Sequence, residues 1–600
     1  MALYLSPLVD VKEIDLTTTI PAVATSIAVT VIRDPYKGPE LKQQLITTVD
    51  ELITIFGEPT SGSFKDILSS VGYLNYGNKL YATAAYAVSA TFAGCHGVFA
   101  SAGELDGYNI TPSGAYMIDD FEAKDPDQYH TESVPFDENR EDYGSSISFI
   151  AKSRGKWGNY IKVALVGKNL YNRIRSQAYT YTQLNISSEL YDDIDSVDVS
   201  FDSSTDTEFI VIVKNADQDQ ITKASPVFFV REAMFVSTNE RKLDDEGGNI
   251  YCENFINQTS NFIRCKLASV AKNTDMSNIF TDYENMSGGQ NRPSTEVTDA
   301  AIIEAFEIYE DAETVDVNIL IDSDKSITVK QTLMAIAESR KDCIAILDVP
   351  SSLVLNNSGQ EATDMRDFRL GLHSTYNLNE NTSYAALYGN WLEIYDKWNG
   401  KYRWIPASGH IAGIYANTDD VTDPWFAPAG LNRGIIGNIR KLAFNPNQGK
   451  RDIMYKNGIN PIVSFAGQGK VVWGQKTYLD KSSAFNRVNV RRLFIILEKA
   501  ISTAVKYFLF EPNDSFTRLQ LINMIEPFLR DVKSRRGIYD FLVVCDSTNN
   551  TPERIDRNEL WCDIYIKPTR AAEFIVLNFI ATKTGASFTE IAATAAGATA

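Results

Sequence analysis

The chain is expected to be an α+β multidomain protein, with an α/β layer near residues 300 to 350 and mainly-β modules before it. Three observations lead there. Its 600 residues exceed what one hydrophobic core usually organises, so about two to four domains are expected. Residues 300 to 350 alternate helical and strand-like signals, the pattern of an α/β layer. Residues 101 to 299 instead hold short alternating segments between polar turns, the texture of barrel or sandwich modules.

Taken in order, residues 1 to 21 alternate loosely up to Pro21 and read as an extended arm. TSIAVTVIRD follows as a strand stopped by Pro35 and Gly38. Asp50–Phe56 and Phe64–Leu74 carry helical spacing with Gly57 and Gly77 as terminators, and Lys79–Val88 returns to a strand. In the middle, SISFIAK, YIKVALVG, SVDVSFD and TEFIVIVK are each short strand candidates, and the polar stretch Asp275–Thr298 reads as an exposed loop. Helical and strand signals resume with Thr298–Tyr309, Val315–Ile321, Lys330–Ser339 and the strand CIAILDVP.

Residues 490 to 508 form the clearest amphipathic helix. Leu493, Leu497, Ala500, Ile501, Ala504, Val505 and Phe508 recur three or four apart, while Arg491, Arg492, Glu498, Lys499 and Lys506 are assigned to a charged face. A second helix, Phe516–Val532, is expected to be disturbed at Pro527. The strands YDFLVVCD, LWCDIYIKP and EFIVLNFI follow. The run Phe574–Ile580 has almost no polar alternation, so it must be covered on both faces. Residues 584 to 600, rich in Ala, Thr and Gly, read as a flexible tail.

With 44% hydrophobic and 22% charged residues the composition is that of a soluble globular chain, and no apolar run approaches the roughly 20 residues of a membrane span. The start MALYLSPLVDVKEID lacks the basic and apolar regions of a secretory signal, so work in the cytoplasm where it is made is expected. The six cysteines show no metal-ligand spacing, and whether Cys545 and Cys562 pair is left to geometry. Residues 101 to 350 carry 44 acidic against 22 basic side chains, whereas residues 351 to 600 carry 24 against 29. The acidity therefore sits in the middle, which argues against direct nucleic-acid binding.

Candidates for chemistry are few. Gly469–Thr477 resembles a phosphate loop but places Gln475 where backbone must approach phosphate. Cys95 and His96 are adjacent, and neighbours in a strand point to opposite faces. His373 is isolated, and the glycine-flanked His410 reads as support for a tight loop. Asp316, Asp322 and Asp324, like Asp419, Asp420 and Asp423, offer hard oxygen ligands without the glycine and terminal glutamate of a calcium loop. No catalytic residue, cofactor or metal is assigned. The cluster Arg530, Lys533, Arg535 and Arg536 ends the second helix, where favourable helix-end charge and an acidic partner are both readings.

Across residues 340 to 580, the segments CIAILDVP, SYAALYGNWLEIYD, IPASGHIAGIYANTD, PWFAPAGLNRG, NGINPIVSFAGQGKVVWGQKTY, NVRRLFIILEKAI, FLFEPND and KPTRAAEFIVLNF stand in order. In these the chain resembles the contractile tail sheath proteins of bacteriophages. LSPLVDVKEID, KGP and DELITIFGEP are similar to the family's N-terminal entry, and AKSRGKWGNYIKV to the opening of an inserted domain. Leu8 stands where the family often has glycine, and residues 170 to 340 carry no motif that places them.

The resemblance implies a discontinuous α/β domain from residues 22–100 and 300–380, an acidic β-rich outer insertion at 101–299, and a C-terminal core at 381–583. It implies a non-enzymatic subunit that polymerises helically around an inner tail tube and contracts to drive the tube through the host envelope for genome ejection. Implied partners are further copies of the chain, the tube protein, and baseplate and tail terminator proteins, with no membrane insertion, in a virion tail assembled in host cytoplasm. Val9, Val11, Glu13 and Ile14 would form an inter-subunit arm, and Phe574, Ile575, Val576, Leu577 and Phe579 an inter-subunit strand. Arg530, Lys533, Arg535 and Arg536 would face the tube, with hinges at Thr17–Ala22 and Ile566–Ala572. The competing readings are a static virion or baseplate protein, and a virion-associated hydrolase carried in the middle domains.

Overall fold

A computed structural model describes residues 25–97, 110–112, 147–202, 204–215, 231–244, 246–267, 271–292 and 294–575. The first elements are β1 (Ala28–Arg33), β2 (Gln44–Ile46), α1 (Val49–Phe56), α2 (Phe64–Leu74) and β3 (Leu80–Ala85). The insertion holds β4 (Gly94–Gly97), β5 (Ile110–Pro112), β6 (Ile147–Ala151), β7 (Ile161–Gly167), α3 (Lys168–Arg175), α4 (Tyr181–Leu184), α5 (Ser188–Asp195), β8 (Glu208–Asn215), β9 (Arg231–Ser237), α6 (Cys252–Thr259), β10 (Ile263–Leu267) and β11 (Glu284–Asn285). Next come α7 (Asp299–Glu307), β12 (Ile319–Ile321), α8 (Ile327–Arg340), β13 (Ile344–Asp348), α9 (Glu361–Leu370), β14 (Ala385–Gly389), β15 (Trp391–Asp396), β16 (Lys401–Pro406), α10 (Ser408–Val421), β17 (Lys441–Leu442), α11 (Gln448–Lys456), β18 (Ile459–Phe465) and β19 (Gly469–Val472). The last are α12 (Val488–Val505), α13 (Ser515–Ser534), β20 (Ile538–Val544), α14 (Pro552–Asp556) and β21 (Asp563–Pro568).

One eight-stranded sheet, in the order β19-β18-β14-β13-β12-β1-β3-β2, organises the α/β unit. Its six inner strands run parallel, and the edge strands β2 and β19 are antiparallel to their neighbours. Strands β12, β13 and β14 are buried along their whole length, as continuous apolar runs covered on both faces must be. Helices α1, α2 and α10 cover one face, where Leu52, Ile67, Tyr73, Ile411 and Tyr415 are buried. Helices α7, α8 and α9 cover the other with Phe306, Leu333, Met365 and Phe368. The expected division between residues 380 and 381 falls inside this sheet, because β14 continues the parallel ladder from β13. Strands β14, β18 and β19 extend the same layer, while β15, β16 and β17 form a separate three-stranded sheet.

Glycines set the spacing of α2 against α10. A Cβ on Gly409 would stand 2.0 Å from the Ser69 carbonyl oxygen, and one on Gly72 would stand 2.4 Å from His410 Nδ1. His410 therefore lies in a helix at a close crossing, and the tight-loop expectation is corrected.

The insertion zips shut where Thr91 bridges Gln290 and Gly94 bridges Ser287. It holds two four-stranded sheets, β10-β6-β4-β5 and β11-β7-β8-β9. Helices α3 and α5 pack Tyr171, Ile174, Leu190 and Ile194 on the back of β7 and β8. SVDVSFD is not a strand. The 275–298 stretch is more than an exposed loop, since Met276, Ile279 and Met286 are buried in the insertion's core. Arg154 fastens the insertion to the α/β unit through Glu40 at 2.9 Å and the carbonyls of Val88 and Ala90.

Candidate assembly interface

The C-terminal unit packs two helices, α12 and α13, against the two-stranded sheet β20–β21. Its helix α12 has two characters. Toward the N-terminal end, Asn489, Val490, Arg491 and Arg492 are all buried. Arg492 pairs with Asp419 at 2.6 Å beneath the Tyr415 ring, and Arg491 reaches Ser383 Oγ at 2.6 Å while lying over Tyr384 and Phe485. The charged-face assignment of these two arginines is thus corrected. They join α12 to the α/β unit, and buried charge persists there because each head group has polar or aromatic partners.

Toward its C-terminal end α12 packs Leu497, Ala500 and Ala504 inward, and α13 answers with Leu521, Ile525 and Leu529. Helix α13 runs without interruption through Pro527, contrary to expectation. The hairpin β20–β21 lies on these helices, with Val544 opposite Asp563 and Leu542 opposite Tyr565. An isolated two-stranded sheet is marginal in water, and packing on α12 and α13 supports this one. Among the described residues no strand pairs with either outer edge. Beside β21 an open groove of about 530 Å³ is lined mainly by apolar side chains, among them Phe494, Ile501, Val505, Leu560, Ile564 and Ile566, with Glu498 and Ser502 also on its wall. A strand laid there would meet an unpaired main-chain edge on one side and an apolar helix floor beneath.

After β21 the chain crosses back toward the α/β unit. Thr569 N–H donates to the Gly537 carbonyl at 3.1 Å, and Arg570, Ala571 and Ala572 are exposed. Glu573 then accepts from Arg487 through both carboxylate oxygens, at 2.6 and 2.9 Å, and from Gln475 Nε2 at 3.3 Å. Phe574 and Ile575 beyond it are 85% and 78% exposed and lie in no strand. Two such side chains in water are unusual for a settled core segment.

Of the residues assigned to contacts, Val9, Val11, Glu13 and Ile14 lie outside the described residues, as do Val576, Leu577 and Phe579 and the Thr17–Ala22 hinge. Within the basic cluster, Arg530 pairs with Glu526 at 2.6 Å and Lys533 with Asp540 at 2.9 Å. Arg535 meets Asp423 and, at 3.6 Å, Asp531. Arg536 sits in the left-handed region at φ 68° and has no carboxylate partner among the described residues. Sequence reasoning missed the groove-to-anchor path, although Glu573 is the one acid between TRAA and the apolar run.

The candidates for chemistry serve packing. Gly469–Val472 is strand β19, and Thr477 Oγ1 donates to the Phe485 carbonyl. Cys95 is buried in the insertion's core, where burial pushes its thiol up. Asp316 pairs with Lys499, Asp324 with Lys65 at 2.6 Å, and Asp322 with the buried Lys330 at 2.5 Å. The C-terminal ends of β1, β12 and β13, where sheets of this type bind ligands, are filled with charge. There Asp66 takes Arg33 at 2.9 Å and Lys325 at 2.5 Å, and Asp322 also accepts the Asp348 amide. Burial, and then the neighbouring Asp322 charge, pushes the Asp348 carboxyl up to about 7. Cys545 and Cys562 interact as free thiols across the end of the hairpin.

A multilayered α/β body joined to a helical unit whose two-stranded sheet, among the described residues, has no further strand on either edge is the architecture of a structural subunit. Comparison with known proteins gives the family. Residues 295–478 match the phage tail sheath protein central domain, and residues 480–582 the phage tail sheath C-terminal domain. The tail sheath protein of Vibrio phage KVP40 is 30% identical over 98% of this chain and 99% of its own length. That of Enterobacteria phage T4 is 33% identical over 76% of this chain and 68% of its own. A sheath tail protein from Listeria innocua superposes at TM-score 0.50 with 10% identity, covering 92% of this chain and 96% of that one, a likeness of fold. The chain belongs to the phage tail sheath protein family.

Proposed function

We propose that this chain is the repeating subunit of a contractile tail sheath, held to its neighbours by strands that complete the β20–β21 sheet. The observation that carries this reading is the open, mainly apolar groove beside β21, next to a strand edge that is unpaired among the described residues. Residues 574 to 580 of one neighbour fill the groove, and residues 9 to 14 of another pair along that added strand. Contacts of this kind, each between different patches of the two copies, do not close on themselves and generate a helix. Main-chain hydrogen bonds hold the arms without demanding a fixed relation between the bodies.

On this reading the bodies move rigidly while the arms stay paired, and contraction draws its free energy from many small, linked differences between interfaces. The assembled tube surrounds an inner tube and ends at baseplate and terminator proteins, in a particle assembled in the host cytoplasm. The chain's role is mechanical and not enzymatic. Arg536, which has no carboxylate partner among the described residues, leads the tube-facing contact. Arg530, Lys533 and Arg535 are already neutralised by neighbouring carboxylates, and such exposed pairs add little. Negative-stain imaging of the purified chain tests the proposal. Long tubes of two diameters support it, whereas rings or shells would favour a static virion protein.

A further inference from the structure

The apolar run that would be handed to a neighbour begins one residue after an anchor. Arg487 grips Glu573 with two parallel bonds of 2.6 and 2.9 Å, and Gln475 adds a third contact at 3.3 Å. A paired fork of this type fixes direction as well as distance. Burial works against the charged form of Glu573, but its bonds to Arg487, Tyr455 and Gln475 outweigh that and hold the carboxyl below its ordinary range. The anchor's partners belong to the joint between the two units. Gln475 follows β19, Arg487 precedes α12, and Lys476 and Arg487 form a bridge.

We propose that the Arg487–Glu573 pair is the clasp that sets where the C-terminal arm leaves the body, so that the hinge lies at 573/574 instead of across Ile566–Ala572. The proposal rests on the strand-addition reading of residues 574 to 580. A one-residue slip in an added strand turns every side chain to the wrong face, so an arm that fills an apolar groove needs a fixed origin. Ile566 is held within β21 and Thr569 is bonded to Gly537. The slack is confined to Arg570, Ala571 and Ala572, which are exposed. Without the clasp, residues 570 to 573 would add about 13 Å of free reach. With it, the arm starts at a point rigidly tied to both units.

An insertion experiment on the full chain tests this. Gly-Ser-Gly-Ser placed between Arg570 and Ala571 lies upstream of the clasp, and the same four residues placed directly after Glu573 lie downstream. The upstream insertion should polymerise at the wild-type critical concentration, and the downstream one should raise it at least tenfold. Adding E573A should make the upstream insertion as harmful as the downstream one, and the swapped pair R487E/E573R should restore its tolerance. Equal damage from both insertions with the clasp intact, or no effect of E573A, would overturn the proposal. Truncation after Glu573 separates the two layers of the argument. If the truncated chain still polymerises, strand addition itself fails and takes the clasp's role with it. If it does not, the insertion results judge the clasp alone.

Discussion

Replacing Ile501 by aspartate separates folding of the subunit from its assembly. Ile501 is a half-buried groove-lining residue on α12, at the edge of the C-terminal core. In the isolated chain the carboxylate stays in contact with water, so the loss of fold stability should be limited to about 1 kcal/mol of apolar packing. On the proposed strand addition, assembly fills the groove and covers the same side chain. Docking then forfeits the roughly 1.5–3 kcal/mol that a buried isoleucine contributes, and an unpaired polar group sealed there costs at least about 1–3 kcal/mol more. At 1.4 kcal/mol per factor of ten, a combined loss of about 2.5–6 kcal/mol weakens each arm contact on the order of sixtyfold to ten-thousandfold. The assay is sedimentation of polymer against concentration, with thermal unfolding of the monomer in parallel. The expected result is a critical concentration raised at least about fiftyfold with a melting temperature within a few degrees of wild type. Polymerisation at the wild-type concentration would refute the assignment of the groove as the docking site.

Three further outcomes follow from other parts of the molecule. Gly409→Ala places a methyl 2.0 Å from the Ser69 carbonyl oxygen. The helix-propensity gain of about 1 kcal/mol does not offset overpacking against backbone, so denaturant unfolding should show a net loss of about 2 kcal/mol, and a midpoint at or above wild type would contradict it. Asp348→Asn should stabilise the chain more at pH 8 than at pH 5. The folded carboxyl keeps its proton to about 7 while the unfolded one releases it near pH 4. The wild type therefore has this contribution in full below pH 4 and loses it as pH rises through 7. The variant's relative gain should reach ~1–4 kcal/mol, and unfolding curves whose difference does not change with pH would sink the idea. Arg536→Glu should leave the melting temperature unchanged and weaken co-sedimentation with the inner tube protein at low salt, where exposed charges act over longer distances. Unchanged tube binding would remove Arg536 from that interface.

Local periodicity carried much of this fold. Helices α1 and α2, strands β7 and β8, and α12 stand within a residue or a few of where apolar spacing and glycine stops put them. What periodicity could not convey was partnership between distant segments. CIAILDVP reads as a strand, but nothing within it says that β14, some forty residues on, continues the same sheet. Arg491 and Arg492 look like a polar face because charge is ordinarily solvated. Their burial depends on Asp419 and Ser383, which are distant in sequence. Pro527 sits inside α13 without ending it. The apolar run from Phe574 onward reads as a strand in need of partners; Phe574 and Ile575 stand exposed in no strand, and the remainder lies outside the described residues. Glu573 was not legible as an anchor, because Arg487 lies 86 residues earlier.

The central claim, that one copy's C-terminal strand completes another copy's sheet, is tested most directly by mixing two defective chains. The Ile501→Asp chain keeps its strand but has a spoiled groove, and a chain truncated after Glu573 keeps its groove but has no strand to give. Neither should form tubes alone. Mixed in equal amounts, they should form a one-to-one complex by analytical ultracentrifugation, because the intact strand of the first fits the intact groove of the second. Two persistent monomer species in the mixture, or tubes from the truncated chain by itself, would contradict the account.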